Sequence, residues 1–550
     1  MNNSEIAEIL ELYAKLSELH EGNPFKIKAL AAAAFQLDKY PTPLANLGLP
    51  EIEKVQGIGK SIAQTIFTIV QQNSLPELEQ LIEQTPQGIR EIMQIKGIGP
   101  KKVRLIWKEL GIENMGELLY ACKENRLMHL KGFGEKTQAS VMQQIYFKMA
   151  NADKFHYARA EAPANQLIHE LKTKFQLVSL TGAMRRACEV LEQIDILVSA
   201  FSTEDVKKHL TEIEGFQINQ TTEQQIQGNY LGFPVCLFVT AASEFYLQLF
   251  QTTGTAIHQS AYPEIKHESP IFESEVAIFE QFEMDFIPPE LRENEAYIAL
   301  AKEKKIPQLI TDANLKGPLH NHSIWSDGQN TIEEMALWCM QRGYQYLGMA
   351  DHSKSAFYAN GLSIERVLAQ HEEIDKLNSK YPQFKILKGI ESDILNDGSL
   401  DYPNEVLAQF DYIVASVHSN LKMTEEKAMT RLIKAIENPN THILGHPTGR
   451  LLLMREGYPI DHKKIIDACA ANGVHIEINA NPYRLDLDWR QIGYAIEKGV
   501  LLSINPDAHN TEGFLDMHYG ILTARKGGLS KSGCLNSFNI DELMLKLHKN

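Results

Sequence analysis

Histidines and carboxylates recur at the ends of short β-rich runs in the last third of this chain. His320 and His322 stand two apart in LHNHS, and Asp327 follows in SIWSDG. The run YQYLGMADH ends at His352, KILKGIE at Glu391, DYIVASVH at His418 and HILGH at His446. VHIEIN ends on Asn479 instead, and VLLSINPDAH carries Asp507 and His509. Imidazole nitrogen with carboxylate oxygen is a donor set suited to Zn²⁺, Mn²⁺ or Fe²⁺ rather than Ca²⁺. Residues i and i+2 of an extended segment point the same way, so His320 with His322, and Asp507 with His509, can each grip from one face. Nine such donors exceed the needs of one ion and imply two or three. Clustered divalent ions lower the pKa of water from about 15.7 toward about 7 and stabilise both oxygens of an in-line displacement at phosphorus. The indicated chemistry is phosphoester hydrolysis. Any one of these histidines alone reads as a core or surface residue; their joint placement at six of seven run ends points to a centre.

Positioning such a set requires strand ends that converge. From about residue 313 onward β-rich runs alternate with helical stretches, the pattern of a βα barrel or doubly wound sheet, whose C-terminal strand ends meet at the active site. Residues 1–150 are helical in pattern and carry an internal repeat of three glycine hairpins, VQGIGKSIA, IKGIGPKKV and LKGFGEKTQ. The pairs Gly57/Gly59, Gly97/Gly99 and Gly132/Gly134 permit tight turns whose backbone N–H groups approach a phosphate without Cβ interference. Each following helix adds the positive end of its dipole. Around the second hairpin Lys96, Lys101, Lys102, Arg104 and Lys108 form a basic patch, and Lys60 follows the first. Gly59-Lys60-Ser61 is not a nucleotide-binding P-loop, because Lys54 stands where that pattern needs its first glycine. Between the two regions lies a mixed α/β stretch ending at FIPPELREN.

The net charge of −16 argues against wholesale coating of nucleic acid, though it leaves room for local basic sites. No apolar run approaches the roughly 20 residues of a membrane span. The six cysteines are scattered without a CxxC pair, which fits reduced thiols in a cytoplasmic protein.

In order along the chain, HxH, SDG, DHS, GIE, SVHS, GHPTGR and DAH resemble the polymerase-and-histidinol-phosphatase (PHP) domain, with all nine ligand positions of that family filled. The resemblance implies a distorted seven-stranded (β/α) barrel with a trinuclear centre of Zn²⁺, Mn²⁺ or Fe²⁺. One metal would be held by His320, His322, Glu391 and Asp507, with Glu391 bridging. A second would take Asp327, His352 and His509, and a third Glu391, His418 and His446. Arg450 in HPTGR and Arg484 in NPYRLD look like phosphate-facing residues, placing Glu391, Asp507, Arg450 and Arg484 at the catalytic site. Pro318 and Pro506 depart from the family pattern without removing a ligand.

Over the whole chain GNPFKIKAL, the hairpins, LTGAMRR, IDILV and IPPELREN resemble bacterial family X DNA polymerases of the PolX type. That likeness implies a multidomain α and α/β protein. Residues 1–85 would form a helical DNA-end-binding domain with the first helix-hairpin-helix, and 86–150 a fingers-like helix-hairpin-helix domain. A nucleotidyltransferase palm would span 151–245, a thumb-like region 246–312 and the PHP barrel 313–550. The implied partners are DNA 3′ ends, gaps or nicks, bound without sequence preference, with room for a monovalent cation at the hairpins. The implied activity is 3′→5′ exonuclease, and some members also trim blocked 3′ ends or cut at abasic sites.

The palm breaks the pattern. Family X needs three aspartates for two Mg²⁺ ions, whereas this chain has Gln193-Ile194-Asp195 and Cys236 at those positions, and Ala183 replaces the serine of GSxRR. Polymerase activity is therefore expected to be lost. The alternatives are a phosphomonoesterase of the histidinol-phosphatase type, a non-enzymatic DNA-end scaffold, or a polymerase that retains gap filling.

Overall fold

Backbone conformation explains the glycine repeat. The first glycine of each hairpin takes a left-handed φ that residues with a Cβ rarely adopt: +83° at Gly57, +95° at Gly97 and +85° at Gly132. The second glycine caps the next helix, Gly59 before Lys60–Gln72, Gly99 before Pro100–Leu110 and Gly134 before Glu135–Asn151. The same turn bond recurs, from Ile58 to the Val55 carbonyl (3.1 Å), Ile98 to Ile95 (3.4 Å) and Phe133 to Leu130 (3.1 Å). These apolar residues enter one core that also collects Ile6, Leu10 and Ile145. The computed structural model describes residues 1–37, 40, 42–262 and 271–548. The chain forms two compact units, Met1–Ala152 and Asp153–Asn550.

The second unit opens on a five-stranded sheet in the order Val178–Leu180, Ile194–Ser199, Phe233–Thr240, Gln225–Tyr230, Phe216–Thr221. Its central pair is parallel and sets Asp195 opposite Cys236. A separate ribbon pairs Phe155–His156 with Val190–Leu191. The thumb-like stretch contributes short helices such as Phe245–Thr253 and Glu275–Gln281; residues 263–270 of it lie outside the described residues.

In the barrel region, parallel strands run Gly389–Asp393, Tyr412–Ser416, Ile443–Leu444, His475–Asn479 and Leu502–Asn505, in sequence order. Two expected strands differ in detail. KILKGIE is split at Lys388, its first part, Lys385–Leu387, pairing with Tyr346–Gly348. The segment around 315–322 has no regular ladder, yet it closes the ring. Pro318 and Asn321 carbonyls accept from Gly348 (2.9 Å) and Ala350 (2.8 Å), and His322 N–H donates to the Ala508 carbonyl (2.8 Å). Pro318 fits because this contact uses its carbonyl, not the N–H it lacks. Aliphatic residues of the strands and their covering helices fill the core. Among the described residues no helix is long and apolar enough to cross a membrane.

Candidate metal centre

Burial of a single carboxylate organises the site. Glu391 is 1% exposed and faces four imidazoles. Its Oε1 lies 3.3 Å from His320 Nε2, 3.1 Å from His418 Nε2 and 3.0 Å from His446 Nε2, and its Oε2 lies 2.9 Å from His352 Nδ1. Asp507 Oδ1 stands 2.9 Å from His322 Nε2, and Asp327 Oδ1 lies 3.4 Å from His509 Nε2. All nine residues therefore meet at the C-terminal end of the barrel strands. Asp507 holds a left-handed φ of +54°, a conformation of the kind that tertiary contacts must enforce at a working site.

Burial alone would raise the Glu391 carboxyl, but the facing His418, His320 and His352 outweigh it and hold the group well below its ordinary value. Asp507 is likewise held down, against its burial, by His320 and His322. For Asp327, His509 and its neighbours overcome burial and bring the pKa to about 2. The centre thus keeps three carboxylates ionised, Glu391 fully buried and Asp327 at its open side. Several buried donor atoms there approach opposite charge without hydrogen-bond geometry or make no hydrogen bond at all: His320 Nε2, His322 Nδ1, His352 Nδ1, His446 Nδ1 and Glu391 Oε2. Buried polar atoms are normally satisfied, so orphaned nitrogen and oxygen donors converging on fixed carboxylates fit divalent cations. Three overlapping groups bring their donor atoms within 4.8 Å: His322/Asp327/His352/His509, His320/His322/Glu391 and His352/Glu391/His418. Relative to the allocation implied by sequence, His322 also joins the Asp327 group and His352 the Glu391–His418 group.

The residues behind these donors were not singled out from sequence. Glu477, fully buried, sits 2.7 Å from His320 Nδ1, which turns Nε2 toward the centre. Asp393 accepts from His418 Nδ1 in the same manner. Asp351 accepts from Ser323, Ser326 and Gln370 and braces the loop bearing Asp327. A signal existed: Glu477 lies two residues before Asn479 and Asp393 two after Glu391, the spacing that already pairs His320 with His322. Carboxylates that orient ligand histidines are worth about 10–100-fold in metal affinity or activity. Glu477→Gln is expected to cost about that in Mn²⁺ affinity, read as metal bound per chain at limiting Mn²⁺; unchanged affinity would remove Glu477 from this role.

Of the two arginines, Arg484 stays at the centre, its Nε 4.0 Å from Asp507 Oδ2. Arg450 is engaged elsewhere: its guanidinium bonds Asp488 and the carbonyls of Arg484 and Leu485. These contacts engage the Arg450 guanidinium with the loop that carries Arg484.

The five-stranded sheet places the residues expected at the palm site side by side. Gln193 donates to Asp195 at 2.7 Å, and burial raises the lone Asp195 carboxyl to about 6. Burial also pushes the Cys236 thiol up to about 11, so it stays protonated. Ala183 lies on the turn Gly182–Arg185. Arg185 pairs with Glu275, and Arg186 with Glu293.

In the N-terminal unit Lys101 is 84% exposed, though within 3.8 Å of Glu18. Lys102 Nζ lies over the Phe133 ring of the third hairpin, while Arg104 pairs with Glu21 at 2.8 Å. Of these three, Arg104 has a close acidic partner, while Lys101 remains largely exposed.

Comparison with known proteins finds three family matches along the chain. A helix-hairpin-helix domain matches residues 1–75, a SAM-like helix-hairpin-helix tandem 89–145, and a PHP domain 318–481. A probable phosphatase of Caldanaerobacter subterraneus is 28% identical over 34% of this chain and 74% of its own. One of Thermoanaerobacter sp. is 27% identical over 40% and 89%. The DNA polymerase/3′-5′ exonuclease PolX of Bacillus subtilis is 32% identical over 100% of both chains. The match to that relative runs from end to end of both chains, and with the helix-hairpin-helix and PHP matches it shows that the chain belongs to the bacterial PolX family of DNA polymerase/3′-5′ exonucleases.

Proposed function

We propose that this chain hydrolyses DNA from its 3′ end at the barrel centre, and that its palm no longer synthesises DNA. The observation that carries the reading is the convergence of six imidazoles on the carboxylates of Glu391, Asp507 and Asp327, with five of their buried nitrogen and oxygen atoms making no hydrogen bond. His320, His322, Asp327, His352, Glu391, His418, His446, Asp507 and His509 would hold two or three divalent transition ions. Bound there, such ions supply an activated water at neutral pH and neutralise charge on the phosphoryl group. The protein's own part is orientation. Glu477 and Asp393 fix the His320 and His418 rings, and Arg484 offers a guanidinium to a phosphate oxygen. Incubating 3′-labelled and 5′-labelled DNA with the protein and Mn²⁺ tests this. Stepwise shortening of the 5′-labelled strand is expected. Release of inorganic phosphate alone from a 3′-phosphorylated strand would instead favour a phosphomonoesterase.

The hairpins would supply the grip on DNA. Their left-handed glycines and capped helix starts present backbone N–H groups that suit phosphate and carry no base information. Binding is therefore expected to weaken with salt, with a log–log slope of roughly −0.9 per duplex phosphate contacted. Lys101→Glu with Lys102→Glu should weaken binding equally for all sequences and flatten that slope by about 2. An unchanged slope in a fluorescence-anisotropy titration would remove the second hairpin from the contact.

A further inference from the structure

The palm meets the barrel both at the helix carrying His518 and Lys526 and at the loop that carries Arg484. The ribbon made by Phe155–His156 and Val190–Leu191 meets the barrel loop 480–488, which carries Arg484. At one side His156, 6% exposed, donates from Nε2 to the Leu452 carbonyl at 3.0 Å and packs edge-on against Tyr483 at 4.7 Å. Leu452 N–H in turn donates to the Tyr483 carbonyl at 2.7 Å. At the other side Glu189, next to the ribbon, accepts from Trp489 Nε1 at 3.2 Å and from Arg490 at 3.1 Å. Arg490 also bonds Asp488 at 3.0 Å, and Asp488 anchors the Arg450 guanidinium that clasps the Arg484 and Leu485 carbonyls.

We propose that His156 and Glu189 of the palm are positioning residues for the barrel's hydrolytic site, clamping both ends of loop 480–488 so that Arg484 stays beside Asp507. The inference rests on the hydrolytic reading of the barrel. It accounts for the retention of a palm in which Gln193 and Cys236 stand where two of the expected metal ligands would be: the fold serves as a brace. It also gives Arg450 a role consistent with its observed partners, as the strut that passes the clamp from Asp488 to the backbone at Arg484. Neither palm residue touches substrate, so each acts through Arg484.

A double-mutant cycle on the full chain tests this, since residues that act through a common group couple while independent ones add. His156→Ala and Glu189→Gln are each expected to lower kcat/KM about tenfold when Arg484 is present, small misplacements of a positioning group being costly. In an Arg484→Ala background the same substitutions should change it less than about twofold. Equal losses in both backgrounds, or none in either, would overturn the clamp. Glu189→Gln keeps the side-chain shape and the Trp489 contact, so it serves if His156→Ala fails to fold. Rates are read on single-stranded DNA and on bis(p-nitrophenyl) phosphate, both with Mn²⁺. Coupling on the small diester without DNA degradation sinks the exonuclease reading and keeps the clamp; DNA degradation with additive losses does the reverse. Amide hydrogen exchange gives a readout independent of catalysis. Exchange in 480–488 should rise in both palm variants, and unchanged protection counts against the clamp.

Discussion

Glu391→Gln is expected to abolish phosphoester hydrolysis, with a loss of at least about a thousandfold, equivalent to about 4 kcal/mol of transition-state stabilisation. The amide keeps the volume of the carboxylate but not its charge, and one of its two atoms can no longer accept. Four histidines face this group within 3.3 Å, so no neighbouring oxygen can take its place. Elemental analysis should show fewer transition-metal ions per chain in the variant, and chelation of the unaltered protein should remove activity in the same way. DNA binding by Met1–Ala152 should be untouched, since that unit has its own core. Activity that survives both chelation and Glu391→Gln would end the metal-centre reading.

In the Glu391→Gln background, where degradation cannot mask synthesis, no primer extension is expected on gapped DNA with Mg²⁺ or Mn²⁺. Phosphoryl transfer from a nucleotide needs ions bridging the triphosphate and the primer hydroxyl, and these need anionic oxygen donors. Asp195 alone remains; its burial favours the protonated form, and the Gln193 amide occupies one of its oxygens. Cys236, directly opposite, offers a protonated thiol. The arginines of the GAMRR segment are taken as well, Arg185 by Glu275 and Arg186 by Glu293, so a triphosphate would have to displace internal carboxylates. A filter-binding assay with labelled deoxynucleoside triphosphate should accordingly show no saturable binding. Robust template-directed extension would overturn this account of the palm.

Much of this protein is determined by the sequence itself, for local reasons. Glycine at Gly57, Gly97 and Gly132 is what a left-handed turn requires, so the hairpins are visible as a repeat. Alternation along an extended segment makes His320 with His322 a recognisable pair, and the βα rhythm says that strand ends meet. Substituted palm carboxylates are likewise visible residue by residue. What only the tertiary structure decided are the contacts between residues far apart in sequence. Glu477 reaches His320 across 157 positions, and Arg490 reaches Glu189 across 301. Side-chain direction also distinguishes the two arginines. Arg450 and Arg484 look alike in sequence, yet Arg450 bonds Asp488 and two carbonyls while Arg484 lies beside Asp507. The segment around 315–322 closes the barrel without strand periodicity, because its hydrogen bonds go alternately to Gly348, Ala350 and Ala508 instead of along one ladder. Spacing determines which donors can share a face; which of them meet, and what holds them there, depends on long-range closure of the chain.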